Sequence, residues 1–311
     1  MQNVSIQPNA VAKRRSFLPS KNIQRRYLLF VILVAPAFLL RLATSAYPIA
    51  QTVVLSFTNL DLLKNTNSYI GLQNYATMPK NPSVTGSVSF TIIYVVASTV
   101  LNLVVGMGVA QLLNASFRGR WFARTINLIP WAIPTIVAGY VFRWLLDDKF
   151  GLIPVWVQAF TGAHWIVFIN PNASRLAVIL VQVWKDAPFM AVIFLAGMQG
   201  VPLDLYEAAR VDGANAWQRF WSITIPMIKP LVITMGIFRL IWSLSSFDLV
   251  YGLTQGAPGV STSVLALQIF QQGIDFFKFG FASALSVVLL ILVGIVGLVA
   301  LRLYRRADIA Y

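Results

Sequence analysis

The stretch Leu205-Tyr-Glu-Ala-Ala-Arg-Val-Asp-Gly-Ala214, continuing to Ile225-Pro226, is a polar, helix-forming island between two apolar segments of membrane-spanning length. A helix opened by Pro202 and Asp204 carries Leu205, Ala208, Ala209 and Asp212 on one side, with Glu207, Arg210 and Gln218 elsewhere around it. Gly213 suits a left-handed or closely packed backbone, and Ile225-Pro226 punctuates the passage into the next apolar run. The island reads as a docking surface. The plainer reading is an interfacial helix that lies on a membrane or packs in a soluble core, and the rest of the chain weighs against it.

Of the 311 residues, 58% are apolar and 11% are charged, with a mean hydropathy of +0.72. That balance describes lipid-facing surface and points to an all-α, polytopic membrane protein. There is no cysteine, so disulfides and thiolate metal sites are excluded, and the single histidine, His164, builds no multi-histidine centre. The net charge of +14 falls largely at the ends of apolar runs. Such placement orients a membrane protein and does not call for nucleic acid.

Six runs approach the length of about 20 residues needed to cross a hydrocarbon core; they lie near 27–57, 88–113, 122–146, 175–200, 223–247 and 281–303. With both termini inside, fifteen Lys and Arg face the cytoplasm, among them Lys13, Arg14, Arg15, Arg118, Arg120 and Arg124, against five outside: Lys64, Lys80, Lys149, Arg175 and Lys278. This excess places both ends, and the polar island between the fourth and fifth spans, in the cytoplasm. The basic stretch 1–26 reads as a cytosolic tail, not a removable signal, and 27–311 as the membrane domain. The first span holds Pro36, Arg41 and Pro48, and its ends are poorly defined by composition.

Three outer connections, 58–87, 147–174 (with Trp156 and Trp165) and 248–280, are too long for tight turns and too apolar for simple linkers. They read either as a cap that meets a soluble partner or as aromatic belts packed at the interface. Within the spans, Arg41, Arg143, Lys185, Asp186 and Arg239 need partners, water or a lumen. Arg41 and Arg143 are expected to snorkel or to pair with Asp147 or Asp148. Lys185 and Asp186 lie mid-span just before Pro188, which disrupts helical hydrogen bonding. Arg239, Ser243 and Ser246 lie near one face of the fifth span. A structural salt bridge and ligand contact both remain open for each ionisable group.

The pattern Glu207-Ala208-Ala209, Gly213, Ile225-Pro226 resembles the cytoplasmic loop by which permease subunits of binding-protein-dependent ABC importers fit a groove on their ATPase. The resemblance extends along the chain. Tyr47-Pro48 with Leu55-Ser-Phe-Thr58, Gly71-Leu-Gln-Asn-Tyr75, Gly119-Arg-Trp-Phe-Ala-Arg124 with Ile129-Pro-Trp131, Val183-Trp-Lys185, Phe247-Asp-Leu-Val-Tyr251, and Phe279-Gly280 with Ala282-Ser-Ala-Leu-Ser286 are similar to sugar-importer permeases of the group containing the larger maltose permease subunit. Gly256-Ala257-Pro258 departs from the two glycines expected before that proline.

This resemblance implies an inner-membrane transport subunit that is not an enzyme and holds no cofactor; ATP and magnesium sit on two partner ATPases, with a second permease and a periplasmic or lipid-anchored binding protein completing the assembly. The chain has no Gly-x-x-x-x-Gly-Lys-Ser/Thr phosphate loop, in keeping with that division. By the same resemblance Glu207 and Gly213 couple to the ATPase, Ala208 and Ala209 permit close approach, and Arg210 and Asp212 add ion pairs. Matching positions assign the substrate path to Trp131, Thr135, Gln182, Lys185, Asp186, Phe189, Arg239, Ser243 and Ser246. Most of these identities differ from the relative's, so the location transfers better than the ligand. Trp131 offers a face for a sugar ring and Thr135 a hydroxyl. The two cationic side chains suggest a substrate that carries phosphate, sulfonate or carboxylate besides hydroxyls, while a neutral oligosaccharide, with Asp186 neutralising Lys185, and simple helix packing by Trp131 and Phe189 stay open. The alternatives are an ABC importer for a non-sugar solute and an ion-driven secondary transporter; the second predicts inverted repeats, and none is evident.

Overall fold

The computed structural model describes residues 21–163 and 166–308. Residues 1–20, and His164 with Trp165, lie outside the described residues, so most of the expected tail goes with them. The chain divides into two compact units after Gln51. The first is helical from Lys21 onward: α1 (Lys21–Arg41) includes Pro36, and a π-helical stretch, Leu42–Ala46, follows it. Its side chains Leu29, Phe30, Leu33, Leu39 and Leu40 are exposed, as expected of a lipid-facing helix. Helix α2 (Tyr47–Leu55) completes the first candidate span, Leu29–Leu55.

The second unit is all-α apart from two isolated bridges, Thr58 with Tyr69 and Asp61 with Thr66. After the short α3 (Gln73–Thr77), α4 (Pro82–Asn114) opens where the Asn81 side chain accepts from Ser83 N at 3.0 Å and Pro82 occupies the first turn. The third expected span is not one continuous helix. It is α5 (Arg120–Asn127), α6 (Ile129–Ala132) and α7 (Thr135–Leu145), bent by 91° between Ala132 and Thr135. The break falls at the proline: Ile133, which precedes it, leaves the helical region at ψ 132°, and Pro134 itself has ψ 134°.

Helix α8 (Leu152–Thr161) lies in the following connection, and α9 (Pro171–Gln199) begins at an Asn170 cap bonded to Asn172 N and Ala173 N at 2.9 and 3.2 Å. Next come α10 (Leu203–Val211), α11 (Ala216–Arg219), a π-helical Phe220–Thr224 and α12 (Ile225–Leu244). Helices α13 (Asp248–Leu253) and α14 (Leu265–Phe270) lie in the connection 248–280, and α15 (Phe279–Asp308) ends the fold. Among the described residues, five helical segments are long and apolar enough to span a membrane, and six if the bent pair counts as one span.

Helix α9 is the centre, packed along α4. Gly106 allows the approach, since a Cβ there would stand 2.6 Å from Met190 Cβ. Helices α7 and α13 come together in the same way at Gly139 and Gly252, where a Cβ on Gly139 would lie 2.9 Å from Leu249 O. Lipid tails and apolar side chains are equally greasy, so close backbone packing at small residues holds such helices together.

The connections 58–87 and 248–280 are ordered by polar contacts. Asn74 Nδ2 donates to Ser56 O and Thr58 O at 2.9 and 2.8 Å, and Tyr75 Oη donates to Ser56 Oγ at 2.7 Å. Gly280 N donates to Leu60 O at 3.0 Å. The turn after α13 contains a cis Ala257-Pro258 bond and is tied by Thr262 Oγ1, which meets Thr254 Oγ1 at 2.8 Å. The pairing expected of Arg143 with Asp147 or Asp148 is absent among the described residues. Arg143 is exposed; Asp147 caps its own turn by accepting from Lys149 N at 2.9 Å, and Asp148 accepts from the distant Val167 N at 2.7 Å. Arg41 is likewise exposed.

Candidate functional site

The polar island folds as α10, with Asp204 in its first turn. Gly213 has φ +80°, Ala214 N donates to Ala209 O at 2.9 Å, and Gly213 N donates to Arg210 O at 3.1 Å. This is a Schellman ending, which satisfies carbonyls of the last turn and needs a residue that tolerates left-handed backbone. Helix α11 restarts at once through a reciprocal cap: Asn215 Oδ1 accepts from Gln218 N at 2.9 Å and Gln218 Oε1 from Asn215 N at 2.8 Å. Tyr206 turns inward, its hydroxyl 2.8 Å from Thr224 Oγ1. Glu207 and Arg210 point outward, 3.7 Å apart with 67% and 59% of their side chains exposed. Leu203, Leu205 and Val211 are exposed as well. The helix thus has a closed C-terminal end and presents three exposed apolar side chains beside one exposed ion pair.

A second group of residues lies inside the bundle. Arg239 Nη1, from α12, meets Asp186 Oδ2, from α9, at 2.7 Å, and Lys185 Nζ lies 4.0 Å from Asp186 Oδ1. Gln182 Nε2 donates to Asp186 Oδ2. Tyr94 Oη donates to Gln182 Oε1 at 2.7 Å and lies 2.9 Å from Ser246 Oγ, just past the end of α12. Ser98 Oγ is 3.4 Å from Ser243 Oγ. Lys185 Nζ also donates to Trp131 O at 3.3 Å, and the Trp131 ring stacks on Phe189 with centroids 5.1 Å apart. Helix α9 continues through Pro188, whose carbonyl accepts from Asn127 Nδ2 at 3.2 Å.

Of the path residues named from the sequence, Gln182, Lys185, Asp186, Arg239 and Ser246 fall into one connected group. Ser243 is placed beside it, and Trp131 with Phe189 forms an aromatic edge. Thr135 stands at the start of α7 and joins no hydrogen bond of this group among the described residues. Sequence reasoning missed the contribution of α4: Ser87, Thr91, Tyr94, Ser98 and Asn102 are all buried on one helix face. Their spacing of three or four residues within an apolar run is the signal that would have revealed them.

Two buried cations face one carboxylate here, with side-chain exposures of 6% and 2% for Lys185 and Arg239 and 13% for Asp186. Burial of charge in a membrane-spanning bundle is costly unless the groups are paired and hydrogen-bonded. This arrangement can hold a polar solute by hydrogen bonds and a flat apolar ring face by stacking.

Comparisons with known proteins agree with this architecture. The chain is 38% identical to the sulfoquinovosyl glycerol transport system permease protein SmoG of Agrobacterium fabrum, over 90% of this chain and 92% of that one. It is 32% identical to the trehalose/maltose transport system permease protein MalF of Thermococcus litoralis, over 89% and 93% of the two chains. A chain of the bacterial alginate ABC transporter, crystallised with an alginate pentasaccharide-bound periplasmic protein, superposes with a TM-score of 0.81 over 92% of this chain and 97% of that one; at 22% identity it shows the shared fold. Residues 102–308, from mid-α4 to the end of α15, match the profile of the binding-protein-dependent transport system inner membrane component. With that match over most of its length, the chain belongs to the family of inner membrane components of binding-protein-dependent transport systems.

Proposed function

We propose that this permease passes a sugar or sugar derivative across the inner membrane through the path lined by Trp131, Phe189 and the Gln182–Asp186–Arg239 group, with Ser243, Ser246 and Thr135 at its margins. The observation that carries this reading is the stacked Trp131–Phe189 pair beside a buried, hydrogen-bonded polar group that joins α4, α9 and α12. An aromatic face beside convergent polar groups suits a ring with an apolar face and hydroxyl edges. Two relatives named for sulfoquinovosyl glycerol and for trehalose/maltose support the saccharide class. As a permease subunit the chain does no catalysis and needs no cofactor; ATP is bound by partner ATPases, and a binding protein delivers the solute.

The finer arrangement is part of the proposal. Both termini lie in the cytoplasm, with 1–26 as a tail and 27–311 as the permease domain, and a second, similar permease pairs with this one. Helix α10 sits in an ATPase groove: Glu207 and Gly213 are its main contacts, Ala208 and Ala209 let it seat closely, and Arg210 and Asp212 add exposed ion pairs that contribute little individually. The experiment is nucleotide-driven sugar uptake by the complete importer in proteoliposomes. Glu207→Lys is expected to lower uptake and solute-stimulated ATP hydrolysis at least about tenfold, a change worth about 1.4 kcal/mol of coupling, without loss of subunits. Full coupling in an intact Glu207→Lys complex refutes the docking role.

A further inference from the structure

The Asp186 carboxylate uses only one corner of the Arg239 guanidinium. Nη1 makes the 2.7 Å ion pair, whereas Nε and Nη2 have no hydrogen-bond partner among the described residues although the side chain is 2% exposed. Those two nitrogens carry the parallel N–H groups of the side-on fork, the geometry that grips a carboxylate, sulfonate or phosphate with two bonds. A buried donor edge without partners is costly, and here it belongs to a cation.

The neighbouring helix presents the complementary groups. Tyr94 meets Ser246 and Ser98 meets Ser243, so α4 and α12 run antiparallel in a register that brings Asn102 level with Arg239. Asn102 Oδ1 and, one turn earlier, Thr99 Oγ1 also have no partner among the described residues. One cationic fork and two groups able to accept hydroxyl protons thus belong to the same pair of packed helices. The local charge agrees: Lys185 and Arg239 against Asp186 alone leave a surplus of one positive charge. A companion subunit meets the outer surfaces of a chain, whereas this fork is enclosed by it; what reaches the fork has to enter between the helices, as a transported solute does.

The geometry points to an anion subsite within the path: the Nε–Nη2 edge of Arg239 binds the acidic group of the solute while Asn102 and Thr99 accept its hydroxyls, and the solute is therefore an acidic sugar. Asp186 is the resident counter-ion that holds Arg239 by its other corner. This inference rests on the sugar-path reading and adds the charge of the solute. Asp186 repels the same acidic group, so its removal strengthens anion binding, although it weakens the resting ion pair.

The test is direct binding to the complete importer in nanodiscs, with three matched probes: methyl 6-deoxy-6-sulfoglucoside, methyl glucuronoside and methyl glucoside. Saturable binding of at least one acidic probe, about tenfold or more tighter than methyl glucoside, is expected. Arg239→Met abolishes that preference, and Asp186→Asn enlarges it, with a larger rise in thermal stability on adding the acidic probe than the parent shows. A structural salt bridge makes the opposite forecast for the second variant, since both substitutions then weaken the complex alike and no probe restores it. Equal binding of acidic and neutral probes, no binding of either acidic probe, or equal loss of both classes in Arg239→Met overturns the subsite. If neutral sugars are still imported with hydrolysis coupled through Glu207, the permease reading survives that result; if no sugar of either class is imported by the assembled parent complex, the sugar-path reading itself fails.

Discussion

At Gly213 nothing lies within 4 Å of where a Cβ would be, yet φ is +80°; at Gly280 a Cβ would run into Thr58 O and stand 2.9 Å from Leu60 N. The first glycine is therefore required by the backbone and the second by its surroundings. Replacement of Gly213 costs roughly 1 kcal/mol of left-handed strain for Ala and less for Asn, which tolerates that region. Coupling measured as solute-stimulated ATP hydrolysis is expected to fall in the order Gly213, Asn, Ala, Val. Replacement of Gly280 by Ala must displace the strand-like segment at Thr58–Leu60 and is expected to cost about 1–3 kcal/mol by overpacking. Gly294→Ala, at a helical position with nothing within 4 Å of a Cβ, is the control, and it should leave the melting temperature of the purified complex unchanged or slightly raised. Equal melting temperatures for Gly280→Ala and Gly294→Ala would show that the Thr58–Leu60 segment yields freely. Both glycines were singled out by their sequence motifs, but the motif alone does not say which constraint acts; only the backbone angle and the neighbours separate them.

At the scale of elements, Tyr94 shows how α4 contributes to the site. Its hydroxyl links Gln182 on α9 at 2.7 Å with Ser246 beyond α12 at 2.9 Å, so one side chain ties three elements. Tyr94→Phe leaves buried Gln182 and half-buried Ser246 each short of a hydrogen bond and is expected to cost about 1–3 kcal/mol. The same change should reduce sugar uptake more than it reduces assembly, read as transport per purified complex; unchanged uptake would make the link a packing feature without a part in the path. This face of α4 was readable in principle from the spacing of Ser87, Thr91, Tyr94, Ser98 and Asn102. It escaped notice because polar groups with hydroxyls and amides barely lower the apolar character of a long run, while charges such as Lys185 and Arg239 announce themselves. The spans themselves were legible for the same reason, since length and apolarity are properties of composition. The break at Ile133-Pro134 was not, although its proline was visible: a proline can kink, end or simply join a helix, and which of these occurs depends on what the two halves pack against. Here α7 turns away to pack on α13 at Gly139 and Gly252, a contact between residues more than a hundred positions apart.

For the molecule as a whole, the balance of charge within the bundle bears on stability. The sequence carries a net charge of +14, most of it outside the apolar spans, whereas the buried group of Lys185, Asp186 and Arg239 is drawn from two helices and enclosed by a third. The sequence identified these three residues as needing partners and offered Asp186 as a partner for Lys185; it did not pair Asp186 with Arg239, because that depends on the register of α9 against α12. The energetic consequence is cooperative. Asp186→Asn alone leaves two buried cations without an anion, which is expected to cost about 3–5 kcal/mol. Removing Arg239 as well, in Asp186→Asn/Arg239→Met, restores the parent's local charge of one surplus cation and replaces a charged side chain by an apolar one of comparable reach. The double variant is therefore expected to be more stable than the single Asp186→Asn variant, and not less, as independent contributions would require. Thermal unfolding of the assembled importer in nanodiscs, for the parent, both single variants and the double, measures the coupling directly. A double variant whose loss equals the sum of the two single losses would mean that Asp186 and Arg239 are each held by something other than the other, and the ion pair would then have no organising part in the bundle.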